Sequence, residues 1–180
     1  MQVLAVSGSL RSDSYNSRLL QEVASAAPAG VEIELFDPVQ IAELPHYDQD
    51  LDSTTDVPVS VQRLREAWAG ADAILFSTPE YNGSVPGGLK NAIDWASRPR
   101  GEAALLNKTV AVVGTGTGQF GALWAQQDLR RILGIAGARV VGEPLPVPRA
   151  HEGFADEVHE QLRDLLRLLV EAAAPDFVEA

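Results

Sequence analysis

The chain has 180 residues, 46% of them hydrophobic, and contains no cysteine. That length suits one domain spanning residues 1–180, burying about 70% of its extended surface, and the lack of thiols excludes disulfides, thiol catalysis, iron–sulfur clusters and cysteine-ligated zinc. A formal net charge of −11 has the wrong sign for holding a polyanion or an anionic membrane surface, so neither nucleic acid nor membrane is an expected partner.

Behind Met1 there is no basic start, no long apolar stretch and no small-residue cleavage site. A secretory signal and a membrane span are therefore not expected, and the expected location is the cytoplasm. Val3 to Val6 is a short, largely β-branched run that reads as a strand, and Leu19, Leu20, Val23, Ala24 and Ala27 then repeat at the spacing of one helix face. VEIELF, residues 31–36, reads as a second strand, and Val61, Leu64, Arg65 and Trp68 mark a second helix. ADAILFS, residues 71–77, is a third strand. The helix after it opens at VPGGLKNAIDWA, with Pro86 at its first position and Leu89, Ile93 and Ala96 on one face. TVAVVG, residues 109–114, is a fourth strand, followed by a helix over about Ala122 to Leu133. ARVVG gives a fifth strand, and Phe154, Val158, Leu162, Leu165 and Leu169 mark a closing helix.

Five nearly continuous apolar strands alternating with amphipathic helices predict an α/β fold, a parallel sheet covered on both faces. In such sheets ligands bind beyond the carboxyl ends of the strands, where the strand order reverses. The loops after the first, third and fourth strands thus gain weight, and they read SGSLRSDSYN, STPEYNGSVPGG and GTGTGQFG.

The first loop runs from a strand into a helix N-terminus, where unpaired backbone amides and the helix dipole favour an anion. Ser7, Ser9, Ser12 and Ser14 add hydroxyls, Arg11 a forked guanidinium and Asn16 an amide. One arginine among hydroxyl residues, without the lysine of a triphosphate loop, suits a terminal monophosphate. The competing reading makes Ser12 or Ser14 a helix cap and Arg11 a solvated cation.

GSLR followed by Ser14 and Asn16, together with PEYN and SVPGGLKNAIDW, resembles the NADPH-dependent FMN reductase family, which includes quinone, azo-dye and chromate reductases. The resemblance extends over most of the chain and weakens after about Gly142. It implies a flavodoxin-like three-layer sandwich with a five-stranded parallel sheet in the order 2-1-3-4-5. It also implies that Ser9, Arg11, Ser14 and Asn16, with Leu10, Tyr15 and Ser17 alongside, surround the phosphate of a noncovalent FMN. By the same resemblance Pro79, Glu80, Tyr81 and Asn82 lie against the isoalloxazine ring, where a main-chain donor near N5 stabilises charge on reduction. Gly87 and Gly88, early in the next helix, leave room for backbone to approach a ligand or a subunit. Trp95 is expected to pack in the core or against a dimer neighbour.

GTGQFG, Gly116 to Gly121, is also a literal G-x-G-x-x-G, with Glu143 near the acidic position about 20 residues on. That dinucleotide fingerprint belongs after a first strand, whereas this one follows the fourth. By resemblance the loop instead closes over the flavin, through Thr115, Gly116, Thr117 and Gly118. The sequence departs from the common family form, which has serine near Gly116 and a second glycine where Ala122 stands.

The remaining motifs are weaker. Asp48, Asp50 and Asp52 alternate like calcium ligands, but Ser53 and Val59 occupy the places that need glycine and glutamate, so the run reads as a solvated loop. His46, His151 and His159 have no ligand spacing, and no metal site is expected. Asn82 and Asn107 match glycosylation acceptors, which carry no weight without a signal sequence.

The expected function is an NAD(P)H-dependent FMN reductase or quinone reductase. NADPH or NADH delivers hydride to FMN, and a quinone, azo compound, nitro compound, metal oxyanion or free flavin then accepts it. No side chain is required as acid, base or nucleophile, so no catalytic residue is named. A homodimer or homotetramer is implied by the resemblance. Two rivals remain, a flavodoxin-type electron carrier without nicotinamide turnover and a non-redox phospholigand sensor.

Overall fold

The computed structural model describes residues 1–52 and 56–174. Its elements in chain order are β1 (Gln2–Ser7), α1 (Tyr15–Ser25), β2 (Glu32–Phe36), α2 (Pro38–Ala42), α3 (Gln49–Asp52), α4 (Val59–Gly70) and β3 (Ala73–Thr78). There follow α5 (Gly87–Ala96), β4 (Thr109–Thr115), α6 (Leu123–Ile135), β5 (Arg139–Val140), β6 (Leu145–Val147) and α7 (Asp156–Ala173). All strand pairs are parallel, in the order β2-β1-β3-β4-β5, with β6 also paired to β4. This is the flavodoxin-like order that the family resemblance implied.

The central strands read as apolar runs because both of their faces are covered. Leu4, Val6, Ile74, Phe76, Val110 and Val112 join α2, α4, α5 and α6 in one core. Val3, Ala5, Ala73, Leu75, Ala111 and Val113 join α1 and α7 in the other. Side chains alternate between the two cores along each strand, as the period of two demands. Trp95 belongs wholly to the first core, where its indole N–H donates to the Pro45 carbonyl at 2.8 Å.

The fifth strand differs from the expected single run over ARVVG. Arg139 and Val140 pair with Thr109 and Val110, whereas Leu145 to Val147 pair with Val113 to Thr115. Four residues, 141 to 144, thus oppose two on β4, Ala111 and Val112, and Gly142 takes a positive φ of 68° in the break. The edge of the sheet is one strand interrupted by a bulge, which apolar patterning over so few residues could not reveal.

Three smaller corrections concern the first half. Pro86 caps α5 from outside, at ψ 139°, instead of standing at its first helical position. Two short helices, α2 and α3, fall in stretches too brief to display a period, although Asp37 caps α2 through the Val39 N–H in the ordinary way. The aspartate run is not wholly solvated: Asp52 is largely buried and pairs with Arg65 at 2.6 Å, while Tyr47 donates to it at 3.4 Å. Ser53, which broke the calcium pattern, lies outside the described residues.

Candidate functional site

At the carboxyl ends of β1, β3 and β4 three loops converge on a cleft of about 330 Å³, within the range of small-ligand pockets. Of the residues singled out from sequence, Ser9, Arg11, Ser14, Tyr15, Asn16, Pro79, Glu80, Tyr81, Thr115, Gly116, Thr117 and Gly118 line it. Leu10, Ser17 and Asn82 do not. Leu10 borders an adjoining hollow with Gly8, Tyr81, Gly87 and Gly88. Ser17 turns away and donates to the Ser7 hydroxyl at 3.1 Å. Asn82 forms the tip of a turn.

The β1–α1 loop is a cluster of unused donors. The N–H groups of residues 10 to 14 have no partner among the described residues, and Tyr15 and Asn16 open α1 with the orphan amides of a helix N-terminus. Arg11 is exposed and has neither hydrogen bond nor ion pair among them. Ser14 is buried and caps α1, accepting from the Ser17 N–H at 3.3 Å, which leaves its own hydroxyl proton free to donate. The capping reading and the anion reading of this serine are therefore compatible.

Asn16 plays a role that its sequence position concealed. Its Oδ1 accepts from the Ser77 hydroxyl at 2.8 Å and from the Thr115 N–H at 3.2 Å, and its Nδ2 donates to the Thr115 carbonyl at 3.1 Å. This buried amide ties α1 to the ends of β3 and β4. It thereby holds two of the three loops in register at the floor of the cleft.

The β3–α5 loop folds into a tight turn. Tyr81 and Ser84 exchange N–H to carbonyl bonds at 3.1 and 3.2 Å, with Asn82 and Gly83 at φ 52° and 75°, the sign pattern that makes Asn-Gly a favoured two-residue turn. The Tyr81 N–H is consumed by this turn, whereas those of Glu80 and Asn82 find no partner among the described residues. The loop is bolted to α6 at two points. One Glu80 carboxylate oxygen accepts from the Trp124 and Ala125 N–H groups at 3.0 and 3.1 Å, and the Ser84 hydroxyl donates to Asp128 at 2.7 Å. Because Glu80 is occupied as the cap of α6, Arg11 is the charged side chain of the cleft left free for a ligand.

The β4–α6 loop is held from the opposite side by the segment after β6. The Thr115 hydroxyl donates to the Val147 carbonyl at 2.7 Å, and the Ala150 and Arg149 N–H groups bond the carbonyls of Gly116 and Gly118. Gly121 sits at φ 52°, where an added Cβ would lie 2.5 Å from the Val147 nitrogen, so glycine is required there. Ala122, which departs from the common family form, itself takes φ 60°. Glu143 lies in the exposed break between β5 and β6 and does not line the cleft, so the dinucleotide fingerprint lacks its acidic partner here.

Gly121 and Ala122, met in the sequence as the end of the glycine motif and as a departure from the family form, also line the cleft, as do Phe120 and Trp124, which were not singled out from sequence. The available signal was an aromatic residue on each side of a glycine-to-helix junction at a ligand-binding loop. Among the described residues no group of acidic, histidine or cysteine side chains could hold a metal ion. His159 lies 3.6 Å from Glu22 and His151 lies 3.7 Å from Glu152, both outside the cleft.

A family model described as NADPH-dependent FMN reductase matches residues 1–152. The chain is 42% identical to an NAD(P)H-dependent FMN reductase of Pseudomonas aeruginosa over 171 residues, covering 95% of this chain and 90% of that one. It is 42% identical to a 2-hydroxy-1,4-benzoquinone reductase of a Burkholderia species and 39% identical to a quinone reductase of Escherichia coli K12. Each covers 80% of this chain, and this chain covers 76% and 75% of them. Among solved structures, a flavoenzyme NAD(P)H:(acceptor) oxidoreductase from Paracoccus denitrificans superposes with a TM-score of 0.83 at 34% identity, over 95% of this chain and 98% of that one.

Proposed function

Because the chain belongs to the NADPH-dependent FMN reductase family, which uses FMN and an NAD(P)H donor, we propose that it binds FMN noncovalently in this cleft and reduces a quinone. NADPH or NADH supplies the electrons. The whole chain acts as one FMN-binding unit, as a homodimer or homotetramer in the cytoplasm. Among the described residues no helix is long and apolar enough to cross a membrane. A quinone is preferred over the azo, nitro, metal-oxyanion and free-flavin acceptors because two of the similar proteins are named for quinone substrates.

The carrying observation is the set of N–H groups over residues 10 to 14 that have no partner among the described residues, ending at the N-terminus of α1 beside Arg11, which is likewise unpaired among them. That arrangement fits a phosphate monoester, with the Ser9 and Ser14 hydroxyls as further donors, Tyr15 and Asn16 shaping the surround, and Leu10 and Ser17 alongside but outside the cleft. The ring would then lie toward Pro79, Glu80 and Tyr81, with Asn82 at the tip of the adjoining turn. The Glu80 N–H, without a partner among the described residues, suits an acceptor edge, and Thr115 to Gly118 form the third wall. An added Cβ at Gly116 or Gly118 would meet nothing within 4 Å, so this wall is open to close approach.

Held by the β1–α1 loop and flanked by the β3–α5 and β4–α6 loops, FMN would supply the redox chemistry that links the nicotinamide donor to the acceptor. The chain positions the cofactor and offers fixed donors where negative charge develops, which requires no acid, base or nucleophile from a side chain.

Arg11→Ala tests the placement. Loss of a charge-assisted phosphate contact is expected to weaken FMN binding by about 1.5–3 kcal/mol, roughly 10- to 150-fold in Kd. The readout is titration of flavin fluorescence, and an unchanged Kd means the phosphate lies elsewhere. Anaerobic NADPH is expected to bleach the flavin band, and a quinone to restore it. A band that NADPH leaves untouched turns the reading to an electron carrier.

A further inference from the structure

Resting on the FMN reductase reading, we infer that Phe120 and Trp124 form an aromatic wall at the mouth of the cleft that selects planar ring acceptors. Of the chain's three tryptophans, Trp68 and Trp95 are fully buried, whereas Trp124 is 45% exposed and Phe120 beside it 49%. Their ring centroids are 4.7 Å apart and the planes are tilted by 55°. Both rings line the same cleft as the donor loop, so their exposed surface is continuous with the candidate flavin site.

The pair is not a loose flap. The Phe120 carbonyl accepts from the Leu123 N–H at 3.0 Å, and the Trp124 N–H is held by Glu80. Between the two residues in the chain, Gly121 is wedged against the Val147 backbone, and its carbonyl accepts from the buried Gln126 side chain at 3.0 Å. The backbone carrying both rings is thus fixed before any ligand arrives, which lowers the ordering cost of stacking on them. Tyr81, half exposed on the β3–α5 turn, borders the cleft from another loop, so a flat ring meets aromatic surface from two loops. A compact inorganic oxidant gains nothing from such surfaces, whereas a fused-ring quinone gains stacking area on each.

The reaction balances without another reagent. Each quinone becomes a hydroquinone by taking two electrons and two protons, delivered as hydride from NAD(P)H plus one proton from solvent. Ferricyanide, the compact inorganic oxidant used for comparison, takes one electron, so two are consumed per NAD(P)H.

The test compares Phe120→Ala, Trp124→Ala and Trp124→Phe with the wild type, all loaded with FMN. FMN affinity and bleaching by NADPH are read first on the wild type, where failure defeats the functional reading itself. The quantity then measured is kcat/KM for a bicyclic naphthoquinone divided by kcat/KM for ferricyanide. Each alanine substitution is expected to lower this ratio about 2- to 10-fold, chiefly through the quinone KM, while Trp124→Phe keeps most of it. Binding is read independently without nicotinamide: the naphthoquinone should quench Trp124 emission saturably in the wild type, a component absent from Trp124→Phe. A ratio unchanged by both alanine substitutions, or quenching that never saturates, overturns the wall. So does dissociation of an oligomer by Trp124→Ala with an unchanged ratio, which makes the pair a subunit contact.

Discussion

Replacing Glu80 separates a structural role from a ligand role at a residue that its motif places against the flavin. In the fold its carboxylate accepts from the Trp124 and Ala125 N–H groups at 3.0 and 3.1 Å. The cap residue of α6 itself, Ala122, has no side chain able to cap and makes no such bond. Glu80→Ala therefore leaves two helix-terminal donors without their acceptor and removes a negative charge from the positive end of the dipole. Loss of a capping side chain costs about 0.5–2 kcal/mol, and the dipole contribution of about 0.3–1 kcal/mol overlaps with it. The carboxylate is only half-buried and water can replace part of its bonding, so about 1–2 kcal/mol is expected in all. For a chain of this size that lowers Tm by about 2–8 °C. The assay is thermal unfolding followed by circular dichroism on flavin-free protein, because bound FMN would add its own stabilisation. Glu80→Gln, which keeps an acceptor and loses the charge, should lie between the two. A flavin-free Glu80→Ala melting like the wild type, with FMN affinity reduced more than tenfold, would refute the capping argument and return Glu80 to the ligand.

Two further expectations follow from other parts of the fold. Ala122 occupies the left-handed region at φ 60°, where a Cβ costs about 1 kcal/mol relative to glycine, so Ala122→Gly should raise stability by about that amount in urea unfolding; a loss of stability would mean that the methyl group packs better than its backbone strain costs. Lys108 is held below its ordinary value of 10.5, chiefly by burial and against the opposing pull of Asp72, while its ammonium donates to the carbonyls of Ala69 and Ala71. The folded state then binds this proton less tightly than the unfolded state. Just below 10.5 the unfolded chain holds more protons, and stability from this group rises with pH. The difference in unfolding free energy between wild type and Lys108→Met should accordingly shift in favour of the wild type as pH is raised toward 10.5; a shift toward the variant would reverse the assignment.

What could be read from sequence was whatever burial writes locally. β1, β3 and β4 are covered on both faces, so they appear as unbroken apolar runs, and the helices between them show the stripe that faces a core. The three ligand loops followed from the rule that parallel sheets bind ligands beyond their carboxyl ends, and the strand order from the family that the motifs in those loops resemble. α2 and α3 are shorter than the window over which a period can be seen, and β5 and β6 are split by residues that look like any turn.

The tertiary structure alone decided how the loop residues divide their work. Asn16 and Glu80 sit in motifs that resemble flavin contacts, yet their polar atoms meet backbone 99 and 44 residues away. Phe120 and Trp124 could have been core residues by composition, and they became a rim because Gly121 and Glu80 hold their backbone at the cleft edge. Periodicity records whether a residue is buried, because burial recurs with the turn of its own helix or strand. A hydrogen bond between distant loops has no period, since it exists only once the sheet has brought three strand ends to the same place.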